Sequence, residues 1–377
     1  MAAASRLRVL ALVADAYGGH GGIAEYNRHF LSSLAACNLI REVIILPRLE
    51  ARWSGTLPAG VVQLRPVPGR IAYSIAALRT ALGRRHIDVI FCGHLFIAPL
   101  AAAIAKLRRI PLWIQVHGIE AWEELSGLHR RSLEAATLVT SVSRYTRQQL
   151  LEWVGIDPAR VKVLPNTVDP RFRPGPKPGY LMDRHSVREK KVLLTVSRLA
   201  SSEQYKGHDR VIQVLSEILP DFPDAMYLII GEGDDRPRLE AHTAELGLSG
   251  KVQFVGQVRS EEIPDYFRLA DLFVMPSTAE GFGIVFLEAL ACGIPVIGGN
   301  QDGSLDPLCD GAAGTAIKPE DHQELRWAIQ ERLANPVRDG NGVKRFSVGA
   351  FSTHARALLG SIYQLKDGVS RGIFPIE

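Results

Sequence analysis

Two glutamates and two glycines lie close together in STAEGFGIVFLEALACGIPVI, residues 277–297. Glu280 precedes Gly281 and Gly283, and Glu288 follows eight residues later in a run of good helix formers. Glycines ahead of a helix expose backbone N–H groups at the positive end of the helix dipole, where they suit a phosphate. At a helix rise of 1.5 Å per residue the carboxylates would lie about 12 Å apart. The spacing therefore predicts contacts to two separate hydroxyl-bearing parts of one extended ligand.

Two cations are joined by a short loop in VSRLASSEQYKGHD. Arg198 ends a predicted strand, and Lys206 follows eight residues later, directly before Gly207 and a predicted helix. Arginine offers a planar fork of donors and lysine a compact charge, so the pair suits a diphosphate. A solvated charged loop is the alternative interpretation.

The N-terminal half contributes a glycine-rich loop and a histidine. Gly21 and Gly22 lie in GGHGGIAEYNRHF, between a predicted strand and a helix, where the backbone can approach an anion. The loop lacks G-x-G-x-x-G and its acidic partner, so no dinucleotide site is predicted, and a flexible loop is the alternative. His117 directly follows a strand in VHGIEAW and can bind a sugar hydroxyl or a phosphate; the alternative is a structural histidine. Glu120 is a weaker candidate, because helix starts attract acids.

A third glycine motif occurs in LIIGEGDDRPRLE. Gly231 and Gly233 follow a predicted strand and allow close approach of a ligand. Asp234 and Asp235 have no third acid placed to complete a cation site, so a surface turn and helix start are predicted instead of a metal site.

The elements that must position these residues alternate between strands and helices, which is typical of parallel sheets covered by helices. Strands are predicted in RVLALVADA, REVIILP, GVVQLRPV, DVIFCGH, PLWIQVHG, LVTSVS, VKVLPNT, KVLLTVSRL, MYLIIGEG, VQFVGQV, LFVMPS and PVIGGN. Ligands of such sheets bind at the carboxyl ends of the strands, where the candidate residues lie.

A domain boundary is predicted at DPRFRPGPKPGY, residues 169–180, because four prolines and two glycines there exclude a long helix or a central strand. The predicted organisation is two Rossmann-like, doubly wound α/β domains. Their bounds are 1–170 for an acceptor domain, 171–190 for a linker, 191–350 for a donor domain and 351–377 for a helix that packs back on the N-terminal domain.

The composition of the 377 residues, 46% hydrophobic and 22% charged, suits about two globular domains. The net charge of +4 suits an anionic ligand or an acidic membrane surface and is too weak to indicate nucleic acid. Four cysteines without metal spacing indicate reduced thiols and a cytoplasmic protein. The longest apolar run, LFIAPLAAAIA, is too short to span a bilayer.

Taken in order, these motifs resemble those of the retaining glycosyltransferases of sequence family 4. The resemblance covers nearly the whole chain and rests on the glycine loop, VHG, LPNTVD, VSRL with YKGHD, GEG, FVGQV and above all EGFGIVFLEALACGIPVI. It implies the GT-B fold, two Rossmann-like domains facing each other across a cleft, and a donor that is a nucleotide diphosphate sugar. It also implies that no metal ion and no other cofactor is needed.

The resemblance assigns roles to residues of this chain. Arg198 and Lys206 would hold the donor diphosphate, and Glu280 would bind the sugar hydroxyls, with His117 near the sugar. The other implied donor contacts are the backbone of Gly281, Phe282 and Gly283 over the sugar and phosphate, Glu288 at the ribose, Val255 beside the base, Gly21 and Gly22 at the diphosphate, and Gly231 in the GEG motif.

The predicted reaction is transfer of a hexose from a UDP-sugar or GDP-mannose to a hydroxyl acceptor, with retention at the anomeric carbon. In the family the leaving phosphate itself takes the acceptor proton. Lipid-linked acceptors of polysaccharide or glycolipid synthesis are among those that relatives use. A nucleotide-sugar epimerase, a sugar phosphorylase and a binding module without catalysis are the alternatives.

One feature departs from the resemblance. Most relatives carry a glycine pair followed by a glutamate after the strand PVIGGN, whereas this chain has QDGSLDPLCDG, which leaves that loop's contacts to the diphosphate open.

Basic residues beside apolar helix faces would allow peripheral contact with the inner face of a membrane, although ordinary helix ends are the alternative. These residues are Arg79, Arg84, Arg85, Lys106, Arg108 and Arg109.

Overall fold

The computed structural model describes residues 6–49, 53, 55–83, 86–336 and 341–367. The chain forms two compact units, one of residues 1–167 with 348–377 and the other of residues 168–347. Each unit contains one parallel sheet with helices in the crossover connections. The predicted α/β class with two parallel sheets is confirmed.

The first unit, in its described residues, contains a seven-stranded sheet. Its strands are β1 (Leu7–Val13), β2 (Ile40–Pro47), β3 (Val61–Gln63), β4 (Val89–Cys92), β5 (Leu112–Val116), β6 (Leu138–Ser141) and β7 (Val161–Val163). Its helices are α1 (Gly22–Ala35), α2 (Arg70–Leu82), α3 (Ala98–Arg108), α4 (Gly127–Glu134), α5 (Arg144–Trp153) and, from the end of the chain, α12 (Val348–Asp367).

The strand order of the first sheet is β3-β2-β1-β4-β5-β6-β7, with every pair parallel. Val9 of β1 pairs with Val43 of β2 on one side and with Val89 of β4 on the other. These central strands are apolar on both faces because helices cover both, and Trp113 of β5 is fully buried. The chain order reverses between β1 and β4, and this topological switch point leaves a crevice at the carboxyl ends of the strands.

The second unit contains, in its described residues, a six-stranded sheet of order β10-β9-β8-β11-β12-β13. Its strands are β8 (Lys191–Val196), β9 (Ala225–Ile230), β10 (Val252–Gly256), β11 (Leu272–Met275), β12 (Val296–Gly299) and β13 (Thr315–Ile317). Its helices are α6 (Gly179–Arg184), α7 (His208–Ile218), α8 (Arg236–Glu245), α9 (Ile263–Leu269), α10 (Ile284–Ala291) and α11 (His322–Ala334). The switch point of this sheet lies between β8 and β11.

The second unit's core lies between its sheet and the covering helices. Leu193 of β8 and Tyr227 of β9 are inaccessible to solvent, as is Val211 of α7. Local sequence sets the helix starts. The Asp321 carboxylate accepts the Glu324 N–H at 3.0 Å and caps α11.

The C-terminal helix α12 is part of the first unit and packs on α1. The hydroxyls of Ser33 and Ser352 are 2.8 Å apart, and the rings of Tyr26 and Phe351 meet edge to face with centroids 5.7 Å apart. Residues 368–377, the end of the predicted C-terminal segment, lie outside the described residues.

Residues 171–190, predicted as a linker, lie inside the second unit and include α6. Two side chains tie this segment to the body of the unit. Lys177 Nζ is 2.6 Å from a carboxylate oxygen of Asp271, and the Tyr180 hydroxyl donates to Asp265 at 2.7 Å. The prolines interrupt secondary structure here, but they do not free the segment from the domain.

Candidate active site

The two predicted donor-binding loops meet at the switch point of the second sheet. Arg198 and Lys206 follow β8, and Glu280 follows β11, the neighbouring strand at the reversal. The loops are bonded to each other, because the Thr278 N–H donates to the Tyr205 carbonyl at 3.0 Å. Gly207 has a φ of +77°, and a Cβ there would lie 2.7 Å from the Pro276 carbonyl oxygen, so only glycine fits.

A cluster of four charged side chains forms at this edge. Lys206 Nζ lies 3.0 Å from Glu203 Oε2 and 3.7 Å from Glu280 Oε1. The guanidinium of Arg198 pairs with the other carboxylate oxygen of Glu203. The Lys206 side chain is 12% exposed, whereas that of Arg198 is 78% exposed. Lys206 is therefore held in place between two acids, and Arg198 extends toward solvent, where it can meet a ligand.

Each acid of this cluster has one buried carboxylate oxygen that accepts no hydrogen bond from the described residues, Oε2 of Glu203 and Oε1 of Glu280. Lys206 Nζ lies closer to the Glu203 oxygen, at 3.0 Å, than to the Glu280 oxygen, at 3.7 Å. Burial raises the pKa of Glu280; Lys206 opposes this rise, and the charges of Asp302 and Glu203 add to it. A polar hydrogen from a ligand would satisfy the Glu280 oxygen, since buried polar atoms in folded proteins are hydrogen-bonded.

The glycines after Glu280 set the start of α10. Gly283 has a φ of +78°, and a Cβ there would lie 2.5 Å from the Phe286 ring. Phe282 is buried and meets the ring of Phe346 edge to face at 5.9 Å, so only its backbone is free to face a ligand. Gly281 lies in the same turn, directly after Glu280.

The predicted spacing of the two glutamates needs a correction. Because α10 begins at Ile284, the helix rise applies only to the second half of the stretch from Glu280 to Glu288. Glu288 lies little more than one turn inside the helix and is buried. The estimate of two carboxylates separated along one continuous helix was therefore wrong, although both residues belong to the same loop-and-helix unit.

Gly231 and Gly233 are needed for chain packing. A Cβ on Gly231 would lie 1.7 Å from the Ser197 carbonyl oxygen, and one on Gly233 would lie 2.0 Å from that of Leu199. The loop after β9 thus packs against the backbone on either side of Arg198. Val255 is half-buried on the edge strand β10, beside this loop.

Asp234 and Asp235, the acids that were considered for a cation, are engaged in hydrogen bonds. Asp234 accepts the backbone N–H of Ser201 at 2.8 Å and its hydroxyl at 2.7 Å. Asp235 forms a bidentate salt bridge with Arg238, and both N···O distances are 2.7 Å. These bonds lower the pKa of both aspartates and favour the predicted turn and helix start.

In the first unit, His117 directly follows β5 and is held by its neighbours. Its Nε2 lies 3.1 Å from the Gly93 carbonyl, and its backbone N–H donates to Glu120 Oε1 at 2.5 Å. The bond to a carbonyl requires a proton on Nε2, which leaves Nδ1 of the neutral ring as an acceptor. Burial lowers the pKa of His117 to about 4, so the ring is neutral at physiological pH.

Two further residues, which the sequence analysis did not identify, lie at the switch point of the first sheet. Asp15 follows β1, and His94 follows β4. His94 Nδ1 accepts the Phe96 N–H at 3.3 Å, and the rings of His94 and His117 have centroids 6.4 Å apart. Burial lowers the pKa of His94, whereas it raises that of Asp15. The available signal was the GH pair directly after the strand DVIFC, which parallels His117 after its own strand.

The glycine-rich loop ahead of α1 packs beside Asp15. A Cβ on Gly19 would lie 2.5 Å from the Asp15 carboxyl carbon. Arg28 Nη1 donates to the carbonyls of Ala16 at 3.0 Å and Gly19 at 2.8 Å, which anchors the start of the loop. Gly21, with a φ of +87°, and Gly22 are exposed at the start of α1.

The basic residues predicted to face a membrane lie near helix ends of the first unit. Arg79 is in the last turn of α2, Lys106 and Arg108 are in that of α3, and Arg109 follows in a left-handed conformation. Arg84 and Arg85 lie outside the described residues. Within the part of the chain that the structure describes, no helix combines the length and apolar character that crossing a bilayer requires.

Both halves of the chain match models of known protein families. Residues 20–172 match the model described as Glycosyltransferase Family 4, and residues 182–347 match that described as Glycosyl transferases group 1. A GDP-mannose-dependent alpha-(1-6)-phosphatidylinositol monomannoside mannosyltransferase of Mycolicibacterium smegmatis is 32% identical over 278 residues, which cover 69% of this chain and 71% of the relative.

Solved structures show the same fold. The chain superposes on the Anabaena protein Alr3699/HepE, crystallised in complex with UDP, with a TM-score of 0.76 and 23% identity, over 94% of this chain and 100% of that one. A sucrose-phosphate synthase from Thermosynechococcus elongatus gives a TM-score of 0.75 with 21% identity, over 97% of this chain and 100% of that one. The chain therefore belongs to the family 4 glycosyltransferases, which have the GT-B fold.

Proposed function

We propose that this glycosyltransferase moves a hexose from a nucleotide diphosphate sugar to a hydroxyl acceptor with retention at the anomeric carbon. The observation that carries the proposal is the cluster of Arg198, Lys206 and Glu280 at the switch point of the second sheet. Breaking the anomeric bond places negative charge on the diphosphate. Fixed cations stabilise that charge better than mobile water does, because they need no reorganisation during the reaction.

Retention follows in this proposal from attack on the same face that the diphosphate leaves. The leaving phosphate oxygen takes the proton of the acceptor hydroxyl as the new glycosidic bond forms. In this proposal Glu280 binds the sugar hydroxyls, Glu288 binds the ribose, and Val255 flanks the base. No acid–base pair of carboxylates is needed, in contrast to a glycoside hydrolase.

GDP-mannose is the donor that we propose first, because relatives with 32% and 29% identity are named as GDP-mannose-dependent enzymes. UDP-glucose is the second candidate, since the HepE protein of Anabaena has been crystallised with it. We propose transfer without a bound metal, because Arg198 and Lys206 supply the positive charge and Asp234 and Asp235 are engaged elsewhere.

The first unit is proposed to bind the acceptor through the polar side chains of Asp15, His94 and His117. A carboxylate and uncharged imidazoles suit the hydroxyls of a polyol or a sugar. The relatives named for phosphatidylinositol mannosides suggest a lipid-linked acceptor and peripheral contact with a membrane. An open groove between α2 and the segment that follows β3 is compatible with such an acceptor, because apolar side chains line it together with Arg65 and Arg79.

Product analysis tests the proposed function. The purified protein is incubated with GDP-mannose or UDP-glucose and with a mannosylated phosphatidylinositol or inositol phosphate acceptor, with and without EDTA. The expected product is a glycoside whose anomeric configuration equals that of the donor, formed equally well with EDTA. An inverted product would contradict retention, and a product formed from the donor alone would favour an epimerase.

A further inference from the structure

The loop after β12, where this chain departs from the pattern of its relatives, contains a buried aspartate in contact with the Glu280 loop. Asp302 is 1% exposed. Its Oδ2 accepts the Glu280 backbone N–H at 2.6 Å and the Ser277 hydroxyl at 3.1 Å. Its Oδ1 accepts the Ser304 N–H at 2.9 Å. One carboxylate thus joins the loops after β11 and β12.

The next residue strengthens the connection between the two loops. The Gly303 N–H donates to the Glu280 carbonyl at 2.8 Å. A Cβ on Gly303 would lie 2.2 Å from the Gly281 carbonyl oxygen, so a larger residue would separate the loops. Both backbone polar groups of Glu280 are therefore bonded to the 302–303 segment.

Asp302 also acts on Glu280 through its charge. Burial raises the pKa of Asp302 itself, and its negative charge contributes to the raised pKa of Glu280. Lys206 and Glu203 are the other charged groups that act on Glu280, the first lowering and the second raising its pKa. Removing the Asp302 charge should therefore lower the pKa of Glu280.

We propose that Asp302 is a positioning residue for donor binding, which together with Gly303 fixes the loop of Glu280 so that its carboxylate faces Lys206. The inference rests on the proposed function, since it assumes that Glu280 binds the donor sugar. In this chain Asp302, in the segment QDGSLDPLCDG, holds the loop through the Glu280 backbone N–H.

Two variants separate the geometric from the electrostatic contribution. Asp302→Asn keeps the shape but replaces an acceptor oxygen with an NH2 group, so one of the backbone N–H groups loses its partner. We expect about a tenfold higher KM for the donor, a smaller change in kcat, and an acid limb of kcat/KM moved to lower pH. Gly303→Ala keeps the charge and separates the loops, so the donor KM should rise while the acid limb stays in place.

Asp271→Asn is the matched control. Asp271 accepts the Val192 N–H at 2.9 Å and pairs with Lys177, but it lies just before β11, at the opposite edge of the same sheet. Its loss should lower the melting temperature and leave the donor KM unchanged.

The comparison of the variants decides the inference. An Asp302→Asn protein that differs from wild type only in melting temperature, as the control does, would overturn it. Calorimetric titration with GDP-mannose and UDP-glucose distinguishes the two levels of the proposal. If the wild-type protein binds neither donor, the proposed function and this inference fall together. Binding that is equal in wild type and Asp302→Asn would overturn this inference alone.

Discussion

The two sheets share one topology around their switch points but place different chemistry there. At the edge of the second sheet, Lys206 lies between two carboxylates, and Arg198 extends from the same cluster. At the edge of the first sheet, His94 and His117 are held with lowered pKa values. The same arrangement of strands therefore supports a charged site in one unit and a largely neutral site in the other.

The difference arises in the loops and not in the strands. The central strands of both sheets are apolar on both faces, and the strands fix only where each loop begins. A diphosphate needs fixed cations, whereas a hydroxyl acceptor needs neutral donors and acceptors. Under the proposed function, the second unit is suited to the leaving group and the first unit to the nucleophile.

The largest effect is expected from the cluster of Arg198, Lys206 and the two glutamates in the second unit. Lys206→Ala should lower kcat/KM by about 100- to 1,000-fold, the range found when one preorganised donor of an anionic transition state is removed. Lys191→Ala is the control, because Lys191 Nζ donates to the Leu333 carbonyl at 2.9 Å from the amino end of β8. Steady-state kinetics measure kcat/KM for both variants. If kcat/KM falls only a few-fold in Lys206→Ala, the charged cluster does not stabilise the transition state.

The next effect is a loss of unfolding free energy at acid pH, caused by one buried histidine in each unit. Burial lowers the pKa of His117 and of His208 to about 4, whereas histidine in an unfolded chain titrates near 6.5. As the pH falls from 6.5 to 4 the unfolded state gains protons first, so each histidine should cost up to about 3 kcal/mol of unfolding free energy.

Chemical denaturation at several pH values tests this. His208→Gln should show a flatter fall of unfolding free energy below pH 6.5 than wild type, and so should His117→Gln. His86→Gln is the control, because that side chain is 72% exposed. An unchanged slope in both buried-site variants would show that neither histidine is held neutral.

A smaller effect is expected at His94 and His117 in the first unit. His94→Gln should raise the KM for the acceptor by about tenfold, equivalent to about one hydrogen bond, and leave donor affinity unchanged. The control is His129→Gln in the same unit. His129 Nδ1 lies 2.9 Å from the Ser126 hydroxyl. An equal rise in the donor KM would contradict the proposal that the first unit binds the acceptor and the second unit binds the donor.

The smallest effect is a displacement of the acid limb in the pH profile. Because the pKa of Glu280 is raised, protonation should weaken donor binding at a pH above that expected for an exposed glutamate. Activity should therefore fall as the pH decreases through that raised value, and Glu280→Gln should remove the limb. A limb near 6.5 that survives in Glu280→Gln would point to a histidine instead.

Much of the fold could be predicted because buried parallel strands appear as apolar runs. β1 and β8 are examples, each bounded by turn residues. β13, of three residues that are mostly half-buried, gives no such run and was not predicted. The proline-rich segment was predicted as a linker, and its composition does not reveal that Lys177 and Tyr180 bind the second unit.

The site could be predicted only in part. Arg198, Lys206 and Glu280 were identified because each follows an apolar strand within a distinctive motif. Glu203 and Asp302 were not, because their roles depend on which loops are adjacent in space. Strand order, and not sequence spacing, places the loops after β11 and β12 side by side.

Nucleotide binding tests the central claim, a charged donor site in the second unit, most directly. The wild-type protein and Lys206→Ala are titrated calorimetrically with GDP, UDP and ADP at two salt concentrations. We expect one nucleoside diphosphate to bind wild type, more weakly at higher salt, and to lose most of its affinity in Lys206→Ala. Equal affinity in the two proteins, or no binding of any of the three, would contradict the claim.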